Sequence, residues 1–173
     1  MSNIYSLLPQ VMATASARVV LELGAHRGED TLKLRRLFPG ARLYSFEPDP
    51  RNIHAMRQTG MAAFTTLIEA AVSDRDGEAE FHLSSADLVG APAWVTDAEY
   101  GGSSSLKRPD ALARTHPWCR LDRTATVRTV SLDTFVRERG LRHIDLIWAD
   151  VQGAEDLMIA GGRDALAMTA MLY

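Results

Sequence analysis

The segment from Val19 to Pro50 limits the possible folds of this chain more than any other part. It holds a short apolar run, a turn with two glycines, an amphipathic stretch, a second apolar run and an acid, in that order. Apolar runs that alternate little are typical of strands buried on both faces of a parallel sheet. The order of strand, turn, helix and strand predicts an α/β domain with a ligand crevice at the carboxyl ends of its strands.

The turn and the two strand ends predict a nucleotide site. Gly24 permits a sharp turn after the first strand, and Gly28 permits the backbone to approach a ligand without a Cβ in the way. Glu47 follows the second strand, where a carboxylate can accept hydrogen bonds from both hydroxyls of a ribose. In this part of the chain we predict cofactor contacts from Glu22, Gly24, Ala25, Gly28, Glu47 and Pro48.

The spacing of the glycines bears on which nucleotide is bound. The turn lacks the third glycine of dinucleotide-binding folds, and Glu22 stands just before it. A carboxylate there repels a pyrophosphate and attracts the ammonium of a methionine moiety, so the pattern favours S-adenosylmethionine over a nicotinamide dinucleotide. Two interpretations without this contact stay open: a tight strand-to-helix turn that binds nothing, and a strand-end Glu22 that pairs with a neighbouring arginine.

Further motifs follow in a fixed order along the chain. They are AVSD at 71–74, GEAEF at 77–81, GSSSL at 102–106, VSLD at 130–133 and IDLIWADVQGAE at 144–155. Together with residues 19–50, this ordered set resembles the FkbM-like methyltransferases over nearly the whole chain. The resemblance implies a class I, Rossmann-like enzyme that uses S-adenosylmethionine to methylate a hydroxyl on a sugar or a natural product. It therefore also implies a small-molecule acceptor with a hydroxyl as the partner.

The carboxyl ends of parallel strands meet at one edge of a sheet, so Glu22, Glu47, Ser73 and Asp150 are expected on the same rim. Ser73 and Asp150 complete the predicted cofactor site. Asp150 is also our candidate for the general base that takes the proton of the acceptor hydroxyl. Two other roles stay open for Asp150: a hydrogen bond to the amino-acid end of the cofactor, or a ligand to a divalent metal. His26 is a secondary candidate.

The chain departs from the FkbM pattern on both sides of Asp150. The family usually carries Lys two residues before this aspartate and Glu two residues after it, whereas this chain has Trp148 and Gln152. Because both members of a charge pair are replaced, neither is left buried without its partner. The departures support an alternative, a non-catalytic cofactor-binding or interaction module that keeps the fold. An NAD-binding oxidoreductase is a weaker alternative, since it needs a third glycine and a separate catalytic domain.

The motifs predict one methyltransferase-like domain over residues 1–173. We expect a doubly wound, mostly parallel sheet with helices on both faces, a leading helix near residues 4–15 and a third strand near 64–71. Residues 78–83 and 127–130 are expected to form an added antiparallel pair. A fifth strand begins at 171–173, after which the sheet is shortened. An open apolar edge invites pairing, so a homodimer that covers this edge is expected.

Residues 84–125 are expected to form an irregular lid or substrate loop, because long segments between strands commonly have such roles. Trp94, Tyr100 and Trp118 could stack there on sugar rings, or could simply anchor the loop on the domain. Six basic residues between Lys107 and Arg128, against two acids, could hold an anionic group of the substrate or form a solvated face.

Composition is ordinary for a globular domain, with 46% hydrophobic and 24% charged residues in 173. A formal net charge of −3 gives no electrostatic footprint for nucleic acid or for an anionic membrane, so neither is predicted as a partner. Cys119 is the single cysteine and cannot form an internal disulfide, so a cytoplasmic location is expected. The spacing of histidines relative to Cys119 predicts no zinc site.

Overall fold

A computed structural model describes residues 4–108 and 115–173. Its helices are α1 (Ile4–Val11), α2 (Glu29–Leu37), α3 (Pro50–Gln58), a 3₁₀ helix (Met61–Phe64), α4 (Leu132–Glu138), α5 (Glu155–Ala160) and α6 (Arg163–Ala167). Its strands are β1 (Val19–Leu23), β2 (Arg42–Phe46), β3 (Thr66–Ile68), β4 (Ala71–Val72), β5 (Gly77–Ala86), β6 (Cys119–Val130) and β7 (Leu146–Ala149).

The main sheet is parallel, with the strand order β3-β2-β1-β7. Residues 171–173 continue it beyond β7, since the Tyr173 N–H donates to the Ile147 carbonyl at 2.9 Å and Leu172 forms a parallel bridge with Ile147. The strand order therefore reverses between β1 and β7. This confirms the Rossmann-like architecture, and it puts the crevice expected of such sheets at the carboxyl ends of these two strands.

Helices cover both faces of this sheet, as the sequence predicted. Side chains alternate along each strand, so Leu21 and Leu23 face one hydrophobic cluster while Val20 faces the other. Helices α4, α5 and α6 close the first cluster, with Phe135 buried in it. Helices α1 and α2 close the second, with Leu34 buried in it. The site at the rim is therefore built on strands that are held from both sides.

A second sheet has the order β4-β6-β5, and β5 and β6 pair in antiparallel fashion as predicted. The prediction of one continuous third strand near 64–71 is wrong. The chain leaves the main sheet after Ile68, and Ala71 and Val72 pair instead with Thr129 and Val130 of β6. Propensity within 64–71 could not reveal this change of sheet, because the pairing partner lies nearly sixty residues away in the sequence.

Two other predicted boundaries are also corrected. Helix α1 ends at Val11 rather than near residue 15, because residues 12–16 form turns in which the Ser16 hydroxyl donates to the Ala13 carbonyl at 3.1 Å. The irregular segment expected at 84–125 is shorter, since β5 extends to Ala86 and β6 begins at Cys119. Residues 109–114 of this segment lie outside the described residues.

Helix α4 begins with a side-chain cap. The Ser131 hydroxyl accepts a hydrogen bond from the Thr134 N–H at 3.2 Å, which satisfies a donor in the first turn of the helix. We expect Ser131→Ala to lower the free energy of unfolding by about 1 kcal/mol. Urea denaturation would measure the change. Ser131→Thr keeps the hydroxyl and should stay near the wild-type value, so an equal loss in both variants would contradict the capping role.

Candidate active site

The carboxyl ends of β1, β2 and β7 open into a cavity of about 480 Å³. This volume lies within the range of small-molecule sites, roughly 300–1,000 Å³. Its wall is formed by the turn after β1, the start of α2, the residues after β2 and β7, and part of the segment 94–106. Of the eight predicted cofactor-site residues, five line the cavity, namely Gly24, Ala25, Glu47, Pro48 and Asp150, while Glu22, Gly28 and Ser73 do not.

The turn after β1 is clamped between two strands. The N–H groups of Gly24 and Ala25 both donate to the Phe46 carbonyl, at 3.0 and 2.9 Å. Gly24 has φ +90°, and a Cβ at this residue would lie 2.0 Å from the carbonyl oxygen of Asp150. The glycine is therefore required both by its backbone conformation and by the close approach of the chain after β7. This contact sets the distance between two walls of the cavity.

The structure gives a different reason for a glycine at residue 28 from the one that the sequence suggests. It adopts φ +92°, and a Cβ there would lie 2.7 Å from the Cβ of Met61. The glycine thus makes room for the 3₁₀ helix that packs against the turn, rather than for a ligand. Gly28 does not line the cavity, and its contact with the cofactor stays a prediction.

Glu47 lies buried in the cavity wall, at 4% exposure. Its Oε2 accepts from the His26 N–H at 2.7 Å, and its Oε1 accepts from the Asp49 N–H at 2.9 Å and from Asn52 Nδ2 at 3.2 Å. Burial raises the pKa of Glu47 to about 7, although these donors partly offset the effect. The turn after β1 and the start of α3 therefore hold this carboxylate in one position.

Glu22 does not reach the cavity, because strand alternation turns its side chain toward the face that α2 covers. It is fully buried there, and its Oε2 accepts from the hydroxyls of Thr31 at 2.6 Å and Ser45 at 2.5 Å. Burial raises the pKa of Glu22 to about 7. The expected contact of Glu22 with an ammonium group therefore stays a prediction. Within residues 4–108 and 115–173, Glu22 pairs with these two hydroxyls and with no arginine.

Ser73 also lies away from the cavity. It follows β4, which belongs to the second sheet, and its hydroxyl donates to Asp74 Oδ1 at 3.1 Å. Its carbonyl oxygen packs against Gly161, where a Cβ would lie only 2.1 Å away. Strand β4 itself borders the cavity, but Ser73, the residue after it, is not part of the wall. The cavity is lined instead by residues 70–72.

Asp150 follows β7 and is exposed at the cavity. Partial burial of its carboxyl raises the pKa of Asp150. Gln152 Nε2 donates a hydrogen bond to Oδ1 of this carboxyl, which opposes the rise in pKa. Gln152 therefore takes part in the site as a donor to the candidate base. Trp148 lies elsewhere: it is buried and packs between the rings of Tyr5 and Tyr173, with centroids at 5.0 and 4.3 Å. It fills space on the α1 face of the sheet.

Unpaired polar atoms mark three residues that the sequence did not assign to the cofactor. Among the described residues, four buried side-chain polar atoms have no hydrogen-bond partner, and three of them belong to residues that line the cavity. These three are His26 Nε2, Arg27 Nε and Asn52 Oδ1. Asn52 lies in the first turn of the helix that Asp49 caps, and no local sequence signal marks it as a cavity residue. The fourth atom is Glu22 Oε1.

Within the segment 94–106, residues 101–105 make hydrogen bonds that attach the segment to the rest of the domain. Ser104 Oγ donates to Asp49 Oδ2 at 3.2 Å and accepts from the Ser84 N–H at 2.9 Å. The Ser84 hydroxyl in turn donates to the Tyr100 carbonyl at 2.9 Å. The serine run thus connects β5 to the start of α3 across one side of the cavity.

The aromatic residues of the segment 84–125 have two different roles. Trp118 is buried at 8% exposure, and its ring contacts Trp94 at 5.7 Å and Tyr100 at 5.5 Å, so it anchors the segment. Trp94 and Tyr100 both line the cavity, and Trp94 remains 65% exposed. A role of Trp94 in stacking on a sugar therefore stays a prediction.

Three of the basic residues between Lys107 and Arg128 form ion pairs with acids. Ion pairs join Lys107 to Asp156, Arg120 to Asp87 and Arg123 to Glu99. Paired and exposed side chains of this kind favour the interpretation as a solvated face over a site for an anionic group. Arg114 lies outside the described residues.

The residues that the structure describes contain no cluster of three or more histidine, cysteine, aspartate or glutamate side chains arranged to hold a metal ion. None of the helices in the same two described ranges is long and apolar enough to cross a membrane.

The parallel sheet with its reversed strand order, the glycine turn after β1 and the buried acid after β2 define a Rossmann-like α/β domain with a crevice at the carboxyl ends of its strands. This chain belongs to the family described as the methyltransferase FkbM domain, which it matches over residues 22–171. It is also similar to the 2-O-methyltransferase NoeI of Sinorhizobium fredii (strain NBRC 101917 / NGR234). The two are 40% identical over 157 residues, which cover 90% of this chain and 61% of that protein.

Proposed function

We propose that this chain transfers a methyl group from S-adenosylmethionine to a hydroxyl of a small molecule, such as a sugar or a natural product. The supporting observation is the concentration of unpaired buried polar atoms in the wall of one cavity. An unpaired buried donor or acceptor costs roughly 1–3 kcal/mol. A cavity that collects such atoms at the carboxyl ends of the strands favours a polar ligand that pairs with them.

The residues of the wall fit this cofactor. Glu47 would accept a ribose hydroxyl, and the turn at Gly24 and Ala25 would lie against the methionine portion. Phe46 and Pro48 offer apolar surface for the adenine. The bound cofactor would supply a methyl group already activated on a sulfonium.

The chain itself would contribute orientation, exclusion of water and a base. Asp150 is the proposed base, because it is accessible at the cavity and its raised pKa increases its affinity for the proton of the acceptor hydroxyl. Gln152 binds Asp150 Oδ1 and thereby leaves the other carboxylate oxygen for the acceptor. The segment 94–106 would cover the reacting groups and hold the acceptor in line, which is the main requirement of this reaction.

The acceptor class rests on the relative and on the exposed aromatic ring at the cavity. The similar protein is a 2-O-methyltransferase, which supports a hydroxyl as the accepting group. Trp94 presents a ring on which a sugar could stack. A cytoplasmic location, suggested by the single Cys119, and a homodimer both stay predictions.

Isothermal titration calorimetry tests the proposal. We expect S-adenosylmethionine and its demethylated product to bind, and Glu47→Ala to weaken binding about 100-fold or more because the ribose loses a charged acceptor. Glu138→Ala, an exposed residue of α4 away from the cavity, is the matched control and should bind normally. Circular dichroism would show that both variants are folded.

Other outcomes would change the assignment. Binding of NADH in place of the sulfonium nucleoside would contradict the methyltransferase proposal. Binding of the nucleoside without methyl transfer to any sugar or phenol in a broad acceptor panel would favour the non-catalytic module that Trp148 and Gln152 left open.

A further inference from the structure

Glu47 has fewer free acceptor positions than a ribose requires. An ionised carboxylate offers about four lone-pair sites. Three of them are already taken by protein donors, the N–H groups of His26 and Asp49 and the side-chain amide of Asn52. One site is left, whereas the ribose of a nucleoside presents two neighbouring hydroxyl donors. Glu47 alone can therefore accept a hydrogen bond from only one of the two hydroxyls. The other hydroxyl needs a second acceptor nearby.

Asn52 provides an unused acceptor at this point. Its side chain is 1% exposed and lines the cavity, and its Oδ1 has no hydrogen-bond partner. The bond to Glu47 identifies the two ends of the amide, because a carboxylate accepts and only the NH₂ end of the amide can donate. The oxygen end is therefore the one that remains free beside Glu47.

Gly101 packs closely against the amide of Asn52. A Cβ at Gly101 would lie 2.7 Å from Oδ1 and 2.9 Å from Nδ2. Gly101 does not have a positive φ, so this glycine is required by space and not by backbone conformation. The amide is thus held by its bond to Glu47 and by the close backbone of the segment 94–106, and its oxygen is a buried acceptor without a partner in the cavity wall.

We propose that Asn52 Oδ1 and Glu47 divide the ribose between them, each accepting a hydrogen bond from one of its two hydroxyls. This inference rests on the proposed function, since it needs the nucleoside to occupy this cavity. It assigns to Asn52 a role in cofactor binding that is separate from its bond to Glu47. It also explains why Gly101 lies directly against this amide.

Isothermal titration at pH 8 tests the division, because Glu47 is mostly ionised at that pH. The ligands are S-adenosylhomocysteine and its 2′-deoxy and 3′-deoxy analogues. We expect Asn52→Leu to bind S-adenosylhomocysteine about tenfold more weakly than the wild type. One deoxy analogue should lose about tenfold in affinity for the wild type and nothing further in the variant, because its missing hydroxyl is the partner of Asn52. Gln58→Leu, an exposed amide on the same helix, is the matched control and should bind as the wild type does.

The outcomes separate this inference from the proposed function. If the wild type and Asn52→Leu bind S-adenosylhomocysteine equally, or if both deoxy penalties persist unchanged in the variant, the role of Asn52 is refuted while the proposed function stands. If the wild type binds neither S-adenosylmethionine nor its product, both are refuted.

A second measurement on the wild-type protein covers the case in which Asn52→Leu does not fold. The sequence has two asparagines, Asn3 and Asn52, so the side-chain amide signals of Asn52 can be assigned by ¹⁵N NMR. These signals should shift with S-adenosylhomocysteine and shift much less with the analogue that lacks the partner hydroxyl. Equal shifts with all three ligands would overturn the inference.

Discussion

Replacing Gly24 with alanine is expected to lower the free energy of unfolding by at least about 3 kcal/mol. The new Cβ would meet the carbonyl oxygen of Asp150 at 2.0 Å, and this oxygen belongs to backbone that cannot rotate away. The residue also has φ +90°, a conformation that costs an alanine additional energy. Because β1 and β7 meet at this contact, relief of the clash requires the two central strands to separate. Urea denaturation followed by circular dichroism measures the loss.

Two controls separate the causes of this effect. Gly140 has φ +60° with open space where a Cβ would lie, so Gly140→Ala carries the cost of backbone conformation alone, about 1 kcal/mol. Gly40 has neither a positive φ nor a neighbour within 4 Å, so Gly40→Ala should be nearly neutral. A loss in Gly24→Ala no larger than in Gly140→Ala would show that the contact with Asp150 is not the cause.

The stability of the domain is expected to fall between pH 5 and pH 8, by roughly 2–3 kcal/mol for each of two buried acids. Burial raises the pKa of Glu22 and of Glu47 from 4.5 to about 7. Between these values the folded protein holds a proton that the unfolded chain has released, so a rise in pH favours unfolding. Carboxyls with lowered pKa, such as Asp76 and Asp145, act in the opposite direction but only below about pH 4.

The substitution Glu22→Gln removes the titration of one of these two acids and leaves the other in place. An amide can accept from Thr31 and Ser45 through its oxygen and carries no charge, so the variant should be about 2 kcal/mol more stable than the wild type at pH 8. At pH 5 the difference should nearly vanish. Urea midpoints across this pH range test the slope, and Glu78→Gln, an exposed glutamate at the start of β5, should leave the slope unchanged. A parallel pH profile in wild type and Glu22→Gln would contradict the buried, protonated state of Glu22.

The same two acids show what could be read from the sequence and what could not. Both follow or end apolar runs, and both were expected at the same rim. Glu47 stands one residue beyond β2 and reaches the cavity wall, whereas Glu22 lies within β1, where period-two alternation turns it toward α2. In the register of the sheet Glu22 pairs with Ser45, so Glu47 stands two positions further along and past the end of the strand, where the alternation of the sheet no longer sets the direction of the side chain. The sequence locates both acids relative to the turn and to the end of the second strand, but the contacts that hold Glu47 in the cavity wall come from the turn after β1 and from the start of α3, which only the tertiary structure brings together.

Ser73, Gly28 and Asn52 show in another way what the sequence alone cannot predict. Ser73 stands at the end of a strand that pairs in a different sheet, and Gly28 packs against Met61 instead of a ligand. Asn52 was passed over because nothing local distinguishes a helical asparagine that faces a cavity from one that faces water. The contact that marks it comes from Gly101, nearly fifty residues further along the chain.

The sequence by itself determined the local features of this protein: alternating strands and helices, the glycine turn, the acid after β2, the cap at Ser131 and the ordered motifs of the FkbM family. These depend on hydrophobic periodicity and on backbone preferences, which act over a few residues. The tertiary structure decided which polar side chains share a cavity and which are enclosed between layers. Those outcomes depend on contacts between residues that are distant in the chain, where a single change of register or of sheet moves a side chain from the site to the interior.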